Sequence, residues 1–327
     1  MNYFETKLEP NGALLTGFTY APSVTLPESE AKPAVLVIPG GAYMHCVDKE
    51  ADPIAMAYLA KGFNAFVLRY CCTGGITPGC PKKGEEEVFD CALADAQSAM
   101  HYLRENAAAL HVDPNRIATV GFSAGANLNA SLNLLTEDKA NAMILCYGAY
   151  DDELSIRTVK TRPLYPHIDK ATPPTFLFAT QPDATVACEN TLRMALALHE
   201  AGVPVESHLF VTGDHGLALA THATGDENPD AAQWLDMSVR FLGHVWSGEN
   251  LLWGGLDQKR PNLDTRCDIL ASHPGARAAI AAAFPEQVSM LTANPFFSYI
   301  SFRRFADMMR LDPAGVSQVE QALKTLR

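Results

Sequence analysis

The run Ile117-Ala118-Thr119-Val120-Gly121-Phe122-Ser123-Ala124-Gly125 decides how the rest of the chain is read. Its first four residues, rich in β-branched side chains, predict a buried strand. Ala124 onward, through Asn127, Leu128 and Leu132, predicts a helix. Between them lies Gly-x-Ser-x-Gly in a strand-to-helix turn, the pattern of a nucleophile elbow. Such a turn is strained, and it holds the serine hydroxyl clear of the sheet. Small residues two before and two after the serine let the helix lie on the strand without collision. The helix N-terminus then aims N–H groups at negative charge developing beside Ser123.

Serine is a poor nucleophile at neutral pH, so the chemistry demands a base and an acid that orients the base. In this type of sheet both follow the serine along the chain, each just after a strand. A strand at 175–180 is followed by Gln181-Pro182-Asp183-Ala184-Thr185-Val186, which makes Asp183 the acid, although Asp there also suits a helix N-cap. A strand at 205–210 is followed by Thr212-Gly213-Asp214-His215-Gly216, which makes His215 the base. Asp214 is the weaker candidate for the acid, because a neighbour in sequence rarely reaches the ring nitrogen of the next residue. Ahead of the serine, Ala34-Val35-Leu36-Val37-Ile38 reads as a strand buried on both faces and ends in Pro39-Gly40-Gly41-Ala42. The N–H groups of Gly41, Ala42 and Ala124 are assigned to an oxyanion hole, where each such donor is worth about 2.7–4 kcal/mol. Tyr43, Tyr147 and Tyr150 lie beside these strand ends and are expected to line the pocket, core packing being the alternative.

Further elements complete an alternating pattern. Helices are predicted at 52–61, closed by Gly62, at 85–110, at 189–200 and at 231–246; strands at 65–70 and 143–147 join those above. A turn is predicted at 113–116, and edge strands and turns in 1–30. Strands alternating with helices predict an α/β fold, a mostly parallel sheet covered by helices on both faces. The proline- and charge-rich stretch 151–174 follows a strand end and is read as a short lid or pocket wall, or an ordinary surface loop. The expected organisation is a catalytic domain at 1–247, a Gly/Asn/Pro-punctuated linker at 248–264 and a small helical domain at 265–327. In that last part helices are predicted at 276–284, 302–309 and 316–326. Their apolar faces are too small to stand alone, so the tail is expected to dock on the first domain or to join a homo-oligomer.

Composition narrows the function. Of 327 residues, 48% are hydrophobic and 19% charged, as in an ordinary globular protein. A net charge of −12 with no basic run argues against nucleic acid as a partner. No stretch is long and apolar enough to span a membrane, and the N-terminus lacks a charged-then-apolar leader. A complete chain is therefore expected in the cytoplasm. Among the eight cysteines (46, 71, 72, 80, 91, 146, 188 and 267), Cys71–Cys80 is the one cluster; it lacks paired zinc-ligand spacing and has no histidine nearby, so the cysteines read as reduced structural thiols, with no metal expected.

Residues from about 15 to 246 resemble the α/β-hydrolase superfamily, and within it the bacterial acetyl-esterase and acetylxylan-esterase-like group related to hormone-sensitive lipase. The resemblance rests on Val37-Ile-Pro-Gly-Gly-Ala-Tyr43, Pro114-Asn-Arg-Ile-Ala-Thr-Val-Gly-Phe-Ser-Ala-Gly-Ala-Asn-Leu128, Pro173-Pro-Thr-Phe-Leu-Phe-Ala-Thr-Gln-Pro-Asp-Ala-Thr-Val186, Ala201-Gly-Val-Pro-Val-Glu-Ser-His-Leu-Phe210 and Gly213-Asp-His-Gly-Leu217. It implies the acid at Asp183, in an Asp-x-x-Val step, and the histidine at His215. Pro39 and Ala42 replace the first and last members of the group's His-Gly-Gly-Gly, which leaves the backbone donors in place and alters the side chains beside them. Asp268-Ile-Leu-Ala-Ser-His-Pro-Gly-Ala-Arg277 and the final helix are loosely similar to helical C-terminal domains of some bacterial carbohydrate-active enzymes. The reading is a serine carboxylic-ester hydrolase that needs no cofactor. The resemblance implies a short acyl group, acetyl first, on a small ester or an acetylated sugar or xylooligosaccharide. The rivals are a serine peptidase or amidase on the same fold and a non-catalytic interaction protein with a helical docking arm. For the peptidase, the 122 residues before Ser123 are too few for a β-propeller.

Overall fold

The apolar runs become neighbouring strands because each can hide two faces at once. The computed structural model describes residues 1–21, 31–151, 159–247 and 261–326. The strands are β1 (Asn2–Leu8), β2 (Ala13–Thr19), β3 (Lys32–Ile38), β4 (Asn64–Arg69), β5 (Val112–Phe122), β6 (Ala142–Cys146), β7 (Thr175–Thr180) and β8 (Val205–Phe210). They form one sheet in the order β1-β2-β4-β3-β5-β6-β7-β8. The β1–β2 and β2–β4 pairs are antiparallel and the other described pairs parallel.

Alternation along β3 divides the core. Ala34, Leu36 and Ile38 face α2 (Val88–Glu105) and α3 (Ala124–Leu135). Val35 and Val37 face α1 (Asp52–Ala60) and α5 (Trp234–Trp246). The α4 helix (Glu189–Glu200) shares the α3 side through Met194 and Leu198. This is the α/β architecture expected, with helices on both faces of a mostly parallel sheet.

Two local expectations are corrected. The helix expected at 85–110 spans only Val88–Glu105, because the chain spends the next residues turning back through His111, at φ 53°, to enter β5. The turn expected at 113–116 lies inside β5 as an irregularity: Lys32 pairs with Val112, but Ala34 pairs with Ile117. The Asp113 carboxylate folds that excursion by accepting the Asn115 N–H at 2.9 Å.

The chain divides into two compact units, Met1–Gly248 and Glu249–Arg327. Most of the linker stretch, 248–260, lies outside the described residues, as do 152–158 in the middle of the stretch read as a lid and 22–30 near the N-terminus. Residues 261–264, expected to end the linker, instead join the second unit, where Leu263 is buried. That unit contains α6 (Cys267–Ser272), α7 (Pro274–Ala283), α8 (Met290–Ala293), α9 (Pro295–Ser298), α10 (Phe302–Met309) and α11 (Pro313–Lys324). Taken one helix at a time, their apolar faces look too small. Together they enclose Leu270, Ile280, Phe302, Phe305, Val319 and Leu323 in a core of their own. No helix among the described residues is long and apolar enough to cross a membrane.

Candidate active site

Ser123 occupies the turn between β5 and α3 at φ 51° and ψ −117°, a strained conformation for a residue with a side chain. The flanking glycines are required by close approach. A Cβ on Gly125 would lie 2.2 Å from the Ile38 carbonyl oxygen and 2.3 Å from that of Pro39. One on Gly121 would meet the Gly125 carbonyl oxygen at 2.4 Å. Helix and strand therefore sit closer than any larger residue allows, and the serine is pushed outward at the carboxyl edge of the sheet.

Asp183 follows β7 and His215 follows β8, and the fold brings both to Ser123. His215 Nε2 lies 2.8 Å from Ser123 Oγ, and His215 Nδ1 lies 2.7 Å from Asp183 Oδ2. The other carboxylate oxygen of Asp183 accepts the Thr185 and Val186 N–H groups at 2.9 and 2.8 Å. Asp183 thus folds its own loop with one oxygen and faces the imidazole with the other; it is not a helix N-cap, because α4 begins only at Glu189, after Cys188. Its side chain is fully buried. Asp214 does not reach the ring; its carboxylate accepts the backbone N–H of His215 at 2.8 Å.

Gly40, Gly41 and Ala42 lie across from the serine, and Ala42 and Tyr43 take positive φ values of 56° and 59°. Ala42, Tyr43, Ala124 and Ser123 line a cavity of about 60 Å³, walled further by Asn127, Ala149, Thr185 and Val186. Val159 and Thr161, from the stretch read as a pocket wall, also line it. Of the three tyrosines expected there, Tyr43 is present; its hydroxyl donates to Asn127 Oδ1 at 2.8 Å. Tyr147 and Tyr150 are not among the lining residues. Tyr147 is fully buried behind the imidazole, its ring centroid 5.2 Å from that of His215, and Tyr150 packs in the core beneath α3 and α4. Both follow β6, but that segment reaches the cavity through Ala149, which lies between them.

Sequence reasoning missed Glu50, which no motif singles out. It is 2% exposed and follows the glycine loop by ten residues. One carboxylate oxygen accepts the Gly40 N–H at 2.8 Å and the other accepts the Tyr147 hydroxyl at 2.8 Å. That hydroxyl in turn accepts the Ala218 N–H at 2.9 Å, and the Ala218 carbonyl accepts Trp234 Nε1–H at 2.9 Å. A single buried carboxylate therefore ties the glycine loop to the loop that carries His215. Burial pushes the Glu50 carboxyl above its ordinary value, against the bonds from Tyr147 and Gly40.

The eight cysteines are all free. Cys72 and Cys80, from the 71–80 cluster, are buried together with Cys46, which lies 26 residues before Cys72.

A family model described as BD-FAE matches residues 22–161. The chain is 31% identical over 214 residues to endo-1,4-beta-xylanase B of Butyrivibrio fibrisolvens, covering 57% of this chain and 32% of that protein. It is 22% identical over 222 residues to an acetylxylan esterase of Xylanibacter ruminicola, covering 60% of this chain and 43% of that protein. The chain thus spans a third to under half of the length of these two relatives. Among solved structures it is similar to MGS-M1, an alpha/beta hydrolase enzyme from a Medee basin deep-sea metagenome library. There the TM-score is 0.66 at 37% identity, with 75% of this chain and 98% of that one covered.

Proposed function

Because the chain belongs to the α/β-hydrolase superfamily, in the esterase group related to hormone-sensitive lipase, we propose that it is a serine carboxylic-ester hydrolase acting on short acyl esters. The observation that carries this reading is the continuous relay Asp183–His215–Ser123, with separations of 2.7 and 2.8 Å. In the proposed reaction His215 takes the Ser123 proton as Oγ attacks the ester carbonyl. The N–H groups of Gly41, Ala42 and Ala124 hold the oxyanion, and His215 returns the proton to the departing alcohol. Water then repeats the two steps on the acyl-enzyme.

The acyl group is read as acetyl because the cavity beside Ser123, of about 60 Å³, leaves little more room than a short acyl chain needs. The similarity to an acetylxylan esterase supports an acetylated sugar or xylooligosaccharide as the alcohol side. The same relay could serve an amide, so the substrate panel has to include both bond types.

Ser123→Ala should lower turnover of p-nitrophenyl acetate by roughly 10⁶, as removal of a triad serine does elsewhere. A fluorophosphonate probe should label the wild-type chain at Ser123 and leave the variant unlabelled. A variant that keeps a tenth of wild-type turnover rules the assignment out. Acetate release from acetylated xylooligosaccharides, measured beside chromogenic dipeptide amides, then separates esterase from amidase.

A further inference from the structure

We propose that Cys46, Cys72 and Cys80 form a binding site for a single thiophilic d¹⁰ cation, Cu⁺ or Zn²⁺, behind the glycine loop. Their sulfurs all lie within 4.8 Å of one another, and they are the only such group of metal-ligating side chains among the described residues. Sulfurs at the corners of a triangle with 4.8 Å edges stand about 2.8 Å from its centre, against about 2.3 Å for a zinc–thiolate bond. A shift of about 0.5 Å in each side chain closes the site. The three residues are 3%, 0% and 9% exposed, so the ligands are already gathered and shielded from water.

Among the described residues no histidine or carboxylate joins the three sulfurs, so any ion held there is held by sulfur. As the ion binds, the thiol protons leave for solvent, and the three thiolates then carry a net charge of −2 with Cu⁺ or −1 with Zn²⁺. Binding gives up the weak bond from Cys72 Sγ to the Tyr70 carbonyl at 3.3 Å.

A soft ion suits three thiolates with no imidazole. The nearby Thr77 hydroxyl is occupied with the Cys46 backbone, at 3.2 Å to its N and 3.1 Å to its O. Three-coordinate Cu⁺ therefore fits the donor set directly, whereas Zn²⁺ would need a water as fourth ligand. A disulfide would use only two of the three sulfurs. The site would staple the glycine loop to the stretch 71–84, which already holds it through Thr73 N–H to the Tyr43 carbonyl and Gly74 N–H to the Met44 carbonyl, both at 2.9 Å.

The test is equilibrium dialysis of the reduced full chain against buffered Cu⁺ or Zn²⁺, with metal content read by mass spectrometry. One ion per chain is expected for the wild type and for Cys91→Ser and Cys188→Ser, and less than a tenth of that for Cys46→Ala/Cys72→Ala/Cys80→Ala. X-ray absorption on the loaded wild type should find three sulfur neighbours, a readout that needs no variant to fold. Zn²⁺ uptake with three sulfurs and one oxygen supports the site equally. Failure of both ions to bind, nitrogen and oxygen neighbours in place of sulfur, or a disulfide within the trio in place of uptake overturns the proposal.

Discussion

Asp183 spends both carboxylate oxygens, and that fixes what an amide in its place can do. In Asp183→Asn the amide oxygen must face the two N–H groups of Thr185 and Val186, so its NH₂ faces His215 Nδ1. The imidazole then carries its proton on Nε2, where it cannot accept the Ser123 proton. A fall of about 10⁴ in kcat is expected, as for the same change in a known triad. A loss below tenfold in steady-state assays would show that Asp183 only caps its loop. Glu50 acts one step further out. Glu50→Gln puts an NH₂ donor against either the Gly40 N–H or the Tyr147 hydroxyl, loosening the glycine loop. Because that loop is read as holding charge present only in the transition state, kcat and kcat/KM should fall together by about 10–100-fold with KM unchanged. The variant also reports on pH. A carboxyl raised by burial binds its proton more tightly in the native state, so its contribution to stability is complete below the ordinary value of about 4.3 and is lost as pH rises through the raised one. Urea melts across that range should show wild-type stability falling relative to Glu50→Gln; parallel curves would refute the assigned direction.

The unit made by β5, the turn and α3 explains the elbow sequence by distance. A methyl group at Gly125 has two backbone carbonyl oxygens within 2.3 Å and no flexible side chain to move aside. Gly125→Ala should therefore cost about 3 kcal/mol or more. In α5, by contrast, a Cβ on Gly243 meets nothing within 4 Å, and Gly243→Ala should stabilise by up to about 1 kcal/mol. Denaturant midpoints of the two variants check both signs at once. Equal effects at both positions would mean that helix propensity, not close approach, governs the elbow glycines.

Two separate cores shape the behaviour of the whole chain. Phe305 is fully buried in the second, with Phe297 edge-on at 5.2 Å and Phe302 at 6.0 Å. Phe305→Ala should cost about 3–5 kcal/mol, as much as so small a core supplies in total. The second unit should then melt and become sensitive to protease, while the first keeps its fluorophosphonate-reactive serine. Loss of Ser123 labelling in that variant would show that the first unit depends on the second.

The linear chain determined the alternating elements and the elbow, because each is a local rule, and it placed Asp183 and His215 just after the strands that follow Ser123. Strand length, glycine spacing and a polar residue after an apolar run are all written within a few positions. Only the tertiary structure decided that Tyr147 backs the histidine while Tyr43 faces the cavity, since neighbours along a strand end do not reveal which way a pocket opens. It also decided that Glu50 joins two loops and that Cys46 meets Cys72 and Cys80. Glu50 and Tyr147 are 97 residues apart and Cys46 and Cys72 are 26 apart, and no spacing along a chain records a distance that only folding closes.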